Sequence, residues 1–272
     1  MTAAAPAPDA FAPLFDAPPG ARCDLCPLAT HSGGGPVLGA GPEHAQLVIL
    51  GEAPGHREVK DGRPFVGRSG RLLAETLARL GVKPSDARRT NTILCQPPDD
   101  LSLEDYLASL PKGTPDPREC CRGRLLDELQ GVECVFALGG TALGALAGVK
   151  GGIHKWRGSP LRVSIPDPPD LEDGPDLAAL PRPGAPADRP EPTRTPDEAW
   201  VIPIFHPAFV LRPDGARFTT TFKSDVAKGV RIWRTDKTKW DESDLVPEAL
   251  PEALVAACAA APAPSPSSPG RS

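Results

Sequence analysis

Two glutamates, one phenylalanine ring and five glycines fall within the twenty residues Gly51 to Gly70, GEAPGHREVKDGRPFVGRSG. Glu52 and Glu58 are the candidate acid–base groups, and Phe65 offers a flat apolar face. Glycines allow a backbone to approach a ligand closely, so the loop suits a small planar group. Two further polar residues stand at comparable places, Asn91 in NTILCQPP and His206 in HPAFVLR.

The chain holds seven cysteines. Without a secretion signal, that number points to metal or redox use more than to a disulfide frame. Cys23 and Cys26 form a CxxC, Cys95 ends the run Thr90 to Cys95, and Cys120 and Cys121 are adjacent. A CxxC grips one corner of a metal site and distant thiolates close it, as zinc or an iron–sulfur cluster requires. Spacing does not choose between the two. Cys134 and Cys258 read as buried free thiols.

The elements that must hold these residues alternate. Apolar runs and periodicity predict strands at 46–51, 90–95, 132–138, 160–165 and 200–205, with helices at 68–81, 118–129, 140–148 and 219–234. Alternating strands and helices imply an α/β fold with a mostly parallel sheet covered on both faces. In such sheets ligands bind just past the carboxyl ends of strands. Gly51 to Glu58, Asn91 and His206 all fall there.

Composition bounds the rest. The 272 residues divide into an Ala/Pro-rich arm (1–21), a body (22–240) and a low-complexity tail (241–272), with Pro247 to Ala260 as a weak helix. Inside the body, residues 166–198 carry ten prolines in 33 positions, which argues against helix and sheet alike. No run of roughly 18 apolar residues offers a membrane span, and the arm lacks the basic start and apolar core of a signal peptide. A cytoplasmic monomer is expected.

The net charge of −5 argues at first against nucleic acid. Residues 22–165 nevertheless hold 18 Lys and Arg against 16 Asp and Glu, and residues 199–240 hold 8 against 3. The acidic arm, insertion and tail mask a basic body, the electrostatic footprint of a DNA or RNA binder.

Taken in order, CDLCPLA, GEAPG with GRPFVGRSGRLL, NTILCQPP, ALGGTAL and HPAFVLR resemble the iron–sulfur uracil-DNA glycosylases of family 4. The resemblance spans about residues 22–165 and 200–234. It implies a three-layer α/β/α sandwich, removal of uracil from single- or double-stranded DNA in base-excision repair, and a 4Fe–4S cluster on Cys23, Cys26, Cys95 and Cys121. Cys120 is the alternative fourth ligand. Phe65 would stack on the flipped base. The Asn91 amide would accept from N3–H and donate to O4, a pattern that cytosine inverts. His206 would support uracil O2 as charge develops on the leaving base. Glu52 and Glu58 match the acidic loop positions, with the choice of water-positioning residue open, and the backbone of Gly51, Glu52 and Ala53 would complete the pocket. Val210 and Leu211 would wedge into the DNA stack while Arg212 meets a phosphate. Lys150, Lys155 and Arg157 would form a second phosphate edge.

The chain departs from the family pattern in three places. Twenty-five residues separate Cys95 from Cys121, the extra length lying near Leu101 to Thr114. His56 stands where an acidic residue is usual, and Gly55 leaves room beside uracil C5. A related branch of the superfamily captures DNA through a histidine, but the corresponding segment Pro97 to Arg118 contains none. His154 therefore reads as a surface residue, and turnover as ordinary hydrolysis. Two other classes stand beside this one. The first is a relative acting on hypoxanthine or xanthine, or binding DNA without turnover. The second is an iron–sulfur or zinc protein that meets replication or repair proteins through its acidic insertion and tail.

Overall fold

A computed structural model describes residues 15–31, 34–149, 152–168 and 198–235. Along the chain run α1 (Leu28–His31), β1 (Leu47–Gly51), α2 (His56–Asp61), α3 (Arg68–Arg79), β2 (Ala87–Asn91) and α4 (Leu103–Ser109). They are followed by α5 (Pro117–Cys120), α6 (Arg122–Glu128), β3 (Cys134–Leu138), α7 (Gly140–Ala147) and α8 (Ile153–Trp156). The last are β4 (Leu161–Ser164), β5 (Glu198–Ile204), α9 (Pro207–Val210) and α10 (Thr219–Arg234).

The strands form one sheet in the order β2-β1-β3-β5-β4. β1 pairs in parallel with β2 and β3, β3 pairs in parallel with β5, and β4 runs antiparallel at one edge. Helices flank this sheet, giving the expected three-layer α/β architecture. Every residue of β1 and β3 is buried. Strands covered on both faces read as unbroken apolar runs, here LVILG and CVFAL. α7 packs on β1, β3 and β5, while α10 lies on β3 and β5 and touches α3.

Two expected elements are corrected. The strand foreseen at 90–95 is Ala87–Asn91. Ile93, Leu94 and Cys95 are buried, but in a loop that joins the cysteine core, so their apolarity serves packing and not a strand. The single helix foreseen at 118–129 is two, α5 and α6, parted at Cys121 (φ −91°, ψ 0°). Five further short helices, α1, α2, α4, α8 and α9, were not foreseen, because four to seven residues are too few to show a 3.6-residue period. Lys150, Cys258, the segment Pro247 to Ala260, and nearly all of the arm, insertion and tail lie outside the described residues. No helix among the described residues is long and apolar enough to cross a membrane.

Candidate active site

Parallel pairing aligns the strand ends, and the register places Gly51 of β1 directly beside Asn91 of β2. The pairing continues past the strands, because the Thr92 N–H and hydroxyl both donate to the Gly51 carbonyl at 2.9 Å, and the Ile93 N–H donates to the Glu52 carbonyl at 3.0 Å. Asn91 is 3% exposed, and its Nδ2 has no hydrogen-bond partner among the described residues. An unmet buried donor costs about 1–3 kcal/mol, which an incoming acceptor would recover. A Cβ on Gly51 would overlap Asn91 Oδ1 and stand 2.9 Å from Phe65 Cζ, so only glycine fits between the amide and the ring. Gly51, Phe65 and Asn91 therefore meet at one point.

Phe65 has φ 59°, the left-handed region that a bulky residue occupies only under constraint. Glu58 supplies much of that constraint. Its Oε2 accepts from the Gly55 N–H at 2.8 Å, and the same carboxylate takes the backbone N–H groups of Phe65 and Val66. Burial pushes the Glu58 carboxyl above its ordinary range, against the pull of those three donors.

Glu52 turns elsewhere. Its Oε2 accepts from the Thr141 hydroxyl, at the start of α7, at 2.6 Å, and the Leu103 N–H at the start of α4 also donates to it. The same hydroxyl lies 3.5 Å from Glu104 Oε1. Burial raises the Glu52 pKa, and neighbouring Glu104 adds to the rise. Ala53 packs against the cysteine core.

His206 caps α9, and its Nδ1 accepts from the Ala208 N–H at 3.2 Å. That bond fixes a neutral ring with its proton on Nε2. Burial first, then the charge of Arg212, lowers the His206 pKa to about 4. A Cβ on Gly139 would stand 3.4 Å from the His206 Cβ, so the turn that carries Thr141 to Glu52 also abuts His206.

The residues foreseen for gripping DNA separate into two groups. Leu211 is 39% exposed, and Arg212 and Lys155 face solvent, with the Lys155 ammonium 5.4 Å from the Trp156 ring centre. Val210 is 3% exposed and belongs to the core, so Leu211 alone of that pair presents a side chain outward. Arg157 is spent internally. Its Nε and Nη2 donate to Asp225 at 2.8 and 2.9 Å, and it lies over the Phe205 ring. His154 is exposed, edge-on to Phe205, Phe209 and Phe218.

The five cysteines of the body's first half form one buried cluster with Leu28, Ile93, Leu103 and Tyr106. Cys23, Cys26, Cys95 and Cys121 line a common small cavity of about 10 Å³ with apolar walls. Cys120 is absent from that lining and hydrogen-bonds Cys26 instead. Burial and the sulfurs of Cys121 and Cys26 push Cys23 up to about 12. The Cys120 hydrogen bond lowers the Cys26 pKa, burial raises those of Cys23 and Cys121, and four sulfur donors suit a soft metal. Among the described residues, no three His, Cys, Asp or Glu side chains form a ready metal site.

Sequence comparison decides the family. The model of the uracil DNA glycosylase superfamily matches residues 38–228. A type-4 uracil-DNA glycosylase of Thermotoga maritima is 35% identical over 210 residues, covering 76% of this chain and 87% of that protein. Two others, from Pyrobaculum aerophilum (44% over 92 residues) and Archaeoglobus fulgidus (36% over 111), align over 33% and 41% of this chain. Those alignments span about half of each relative, 46% and 49%. The chain belongs to the type-4 uracil-DNA glycosylases. Gly51, Phe65 and Asn91 meet at the carboxyl edge of the sheet, where β5 also ends just before the neutral His206, and these residues form the candidate site.

One contributor escaped the sequence reading. Arg124 of α6 is 3% exposed and donates to the carbonyls of Asn91 at 2.8 Å and Thr92 at 2.9 Å. A buried arginine leaves no periodic or motif signal, because arginine is ordinarily an exposed residue.

Proposed function

We propose that this protein is a uracil-DNA glycosylase that flips uracil out of DNA and hydrolyses its N-glycosidic bond, leaving an abasic site for base-excision repair. The observation that carries the reading is the unmet, buried Asn91 amide beside Gly51 and Phe65. Uracil presents O4 to the orphaned Nδ2 and N3–H to Oδ1; cytosine presents an amine and a bare N3, leaving both sides of a fixed amide mismatched. Phe65 stacks on the extruded base.

Bond cleavage pushes electrons onto the base. The Nε2–H of neutral His206 donates to uracil O2 as that charge forms, an interaction of about 3–4 kcal/mol in comparable oxyanion sites. Glu52 positions the attacking water or steadies the cationic sugar, since its raised pKa suits a group that accepts a proton. Glu58 keeps Phe65 in place, its carboxylate being occupied by backbone donors. Leu211 fills the gap left by the base, with Arg212 and Lys155 on phosphates.

Cys23, Cys26, Cys95 and Cys121 hold a 4Fe–4S cluster in this reading, supported by their shared apolar cavity. The cluster supplies a positive centre that ties the thiolates together. The protein acts as a monomer in the cytoplasm, with the acidic insertion and tail available to replication or repair proteins.

The test is release of free base from single- and double-stranded oligonucleotides by full-length protein of measured iron content. Uracil is released and hypoxanthine is not. Hypoxanthine release alone would favour the changed-specificity reading, and neither release from cluster-loaded protein would leave the non-enzymatic iron–sulfur or zinc protein. Cys23→Ser removes the brown absorbance near about 400 nm that iron–sulfur clusters give; an unchanged spectrum would remove Cys23 from the ligand set.

A further inference from the structure

Arg124 stands between the cysteine lobe and the strand end that reads the base. Its backbone N–H donates to the Gly20 carbonyl at 2.9 Å, in the segment that leads into the CxxC. Its guanidinium adjoins Cys121. On the other side, Nη2 donates to the carbonyls of Asn91 and Thr92 at 2.8 and 2.9 Å. Nη1 donates to the Thr90 hydroxyl at 3.1 Å and to Glu128 Oε1 at 3.2 Å. The second oxygen of Glu128 accepts from Arg88 Nε at 2.9 Å, so one carboxylate ties Arg124 to an earlier residue of the same strand.

Four of the five N–H donors of an arginine are thus committed, and three of their acceptors are consecutive residues, Thr90, Asn91 and Thr92. Such reach needs a planar fork. A lysine carries its donors on a single atom and cannot span the set. A buried guanidinium is also costly to place, so it persists where its geometry is well satisfied.

We propose that Arg124 is a positioning residue for base recognition: it fastens the Asn91 end of β2 to the cysteine lobe, so the amide that reads the base is oriented by the assembly of that lobe. The proposal rests on the reading of Asn91 as the base-reading residue. It gives the four-cysteine site a role in selectivity as well as in stability, because α6 begins at Cys121 and carries Arg124 one turn later.

The experiment is a double-mutant cycle on full-length, iron-loaded protein, with Arg124→Lys, Asn91→Ala and the double variant. Arg124→Lys keeps the charge opposite Glu128 and removes the fork. Iron content stays at the wild-type level while kcat/KM for uracil release falls about 30-fold, equivalent to about 2 kcal/mol. With Asn91→Ala already present, the further loss shrinks to less than about 2-fold, since no amide is left to orient. Equal losses in both backgrounds would overturn the proposal by showing that Arg124 acts on general stability. Thr90→Val removes one acceptor of the fork and is read in the same cycle, with an expected loss of about 3-fold; it decides the matter alone if Arg124→Lys does not fold. Wild-type protein that released no uracil would sink the functional reading alone. Amide hydrogen exchange over residues 90–93 then decides the inference: faster exchange in either variant supports it, and unchanged exchange overturns it.

Discussion

The two sides of the site proposed to face DNA are built differently. On the base side, Asn91 is buried and its carbonyl is pinned by Arg124, Phe65 is held in a left-handed conformation by Glu58, and His206 is locked in one tautomer by the Ala208 N–H. On the backbone side, Leu211, Arg212 and Lys155 extend into solvent on short helices or turns. Selectivity between bases that differ by one donor demands fixed groups, because an amide free to rotate would satisfy cytosine as well as uracil. Contact with phosphates demands only charge within reach, and mobility costs little there. Under the proposed function, the contrast separates what chooses the base from what finds the DNA.

Breaking the rigid side has the largest consequence. His206→Ala lowers kcat about 10²- to 10³-fold, as loss of an oxyanion donor does elsewhere, with little change in the salt dependence of binding. Single-turnover rates on a uracil oligonucleotide check this; a KM effect with intact kcat would move His206 to the DNA-binding side.

Breaking the exposed side costs less and looks different. Leu211→Ala and Arg212→Ala each weaken productive binding about tenfold, and Arg212→Ala flattens the slope of log K against log salt by about 0.9 or less, one phosphate contact's worth. Binding titrations at several salt concentrations read that slope. A kcat loss at saturating DNA without a slope change would blur the division between the two sides.

Acid sharpens the division by the smallest effect. The folded His206 takes up a proton only near about 4, whereas an unfolded chain does so near about 6.5. Between those values the unfolded state binds more protons, so the contribution of His206 to stability is complete above about 6.5 and is lost as pH falls toward about 4. Tm measured across that window declines less in His206→Ala than in wild type; identical slopes would deny the neutral ring.

Much of the candidate site's position could be read from the sequence because it follows one rule. Apolar runs ending in Gly51 and before His206 announce buried parallel strands, and ligand groups collect at their carboxyl ends. The second strand misled for a physical reason. Its residues Arg88 and Arg89 belong to a half-exposed edge strand, while the more apolar Ile93 and Leu94 serve the cysteine core from a loop. Arg157 shows a related limit. Its basic setting, KWRG, suggests phosphate, yet Asp225 from α10, 68 residues away, claims it. Arg124 is the deepest case, since the three acceptors that define its role lie more than thirty residues upstream on another element. Long-range partners of a charged side chain are absent from local sequence, whereas periodicity and strand-end motifs are local.

The direct test of a base-reading Asn91 is the Asn91→Asp variant, assayed for release of uracil and of cytosine from otherwise identical single-stranded oligonucleotides. The account predicts that wild-type protein frees uracil only, and that the variant loses uracil preference by about 100-fold or more as its donor becomes an acceptor. Unchanged uracil release with unchanged rejection of cytosine would contradict it.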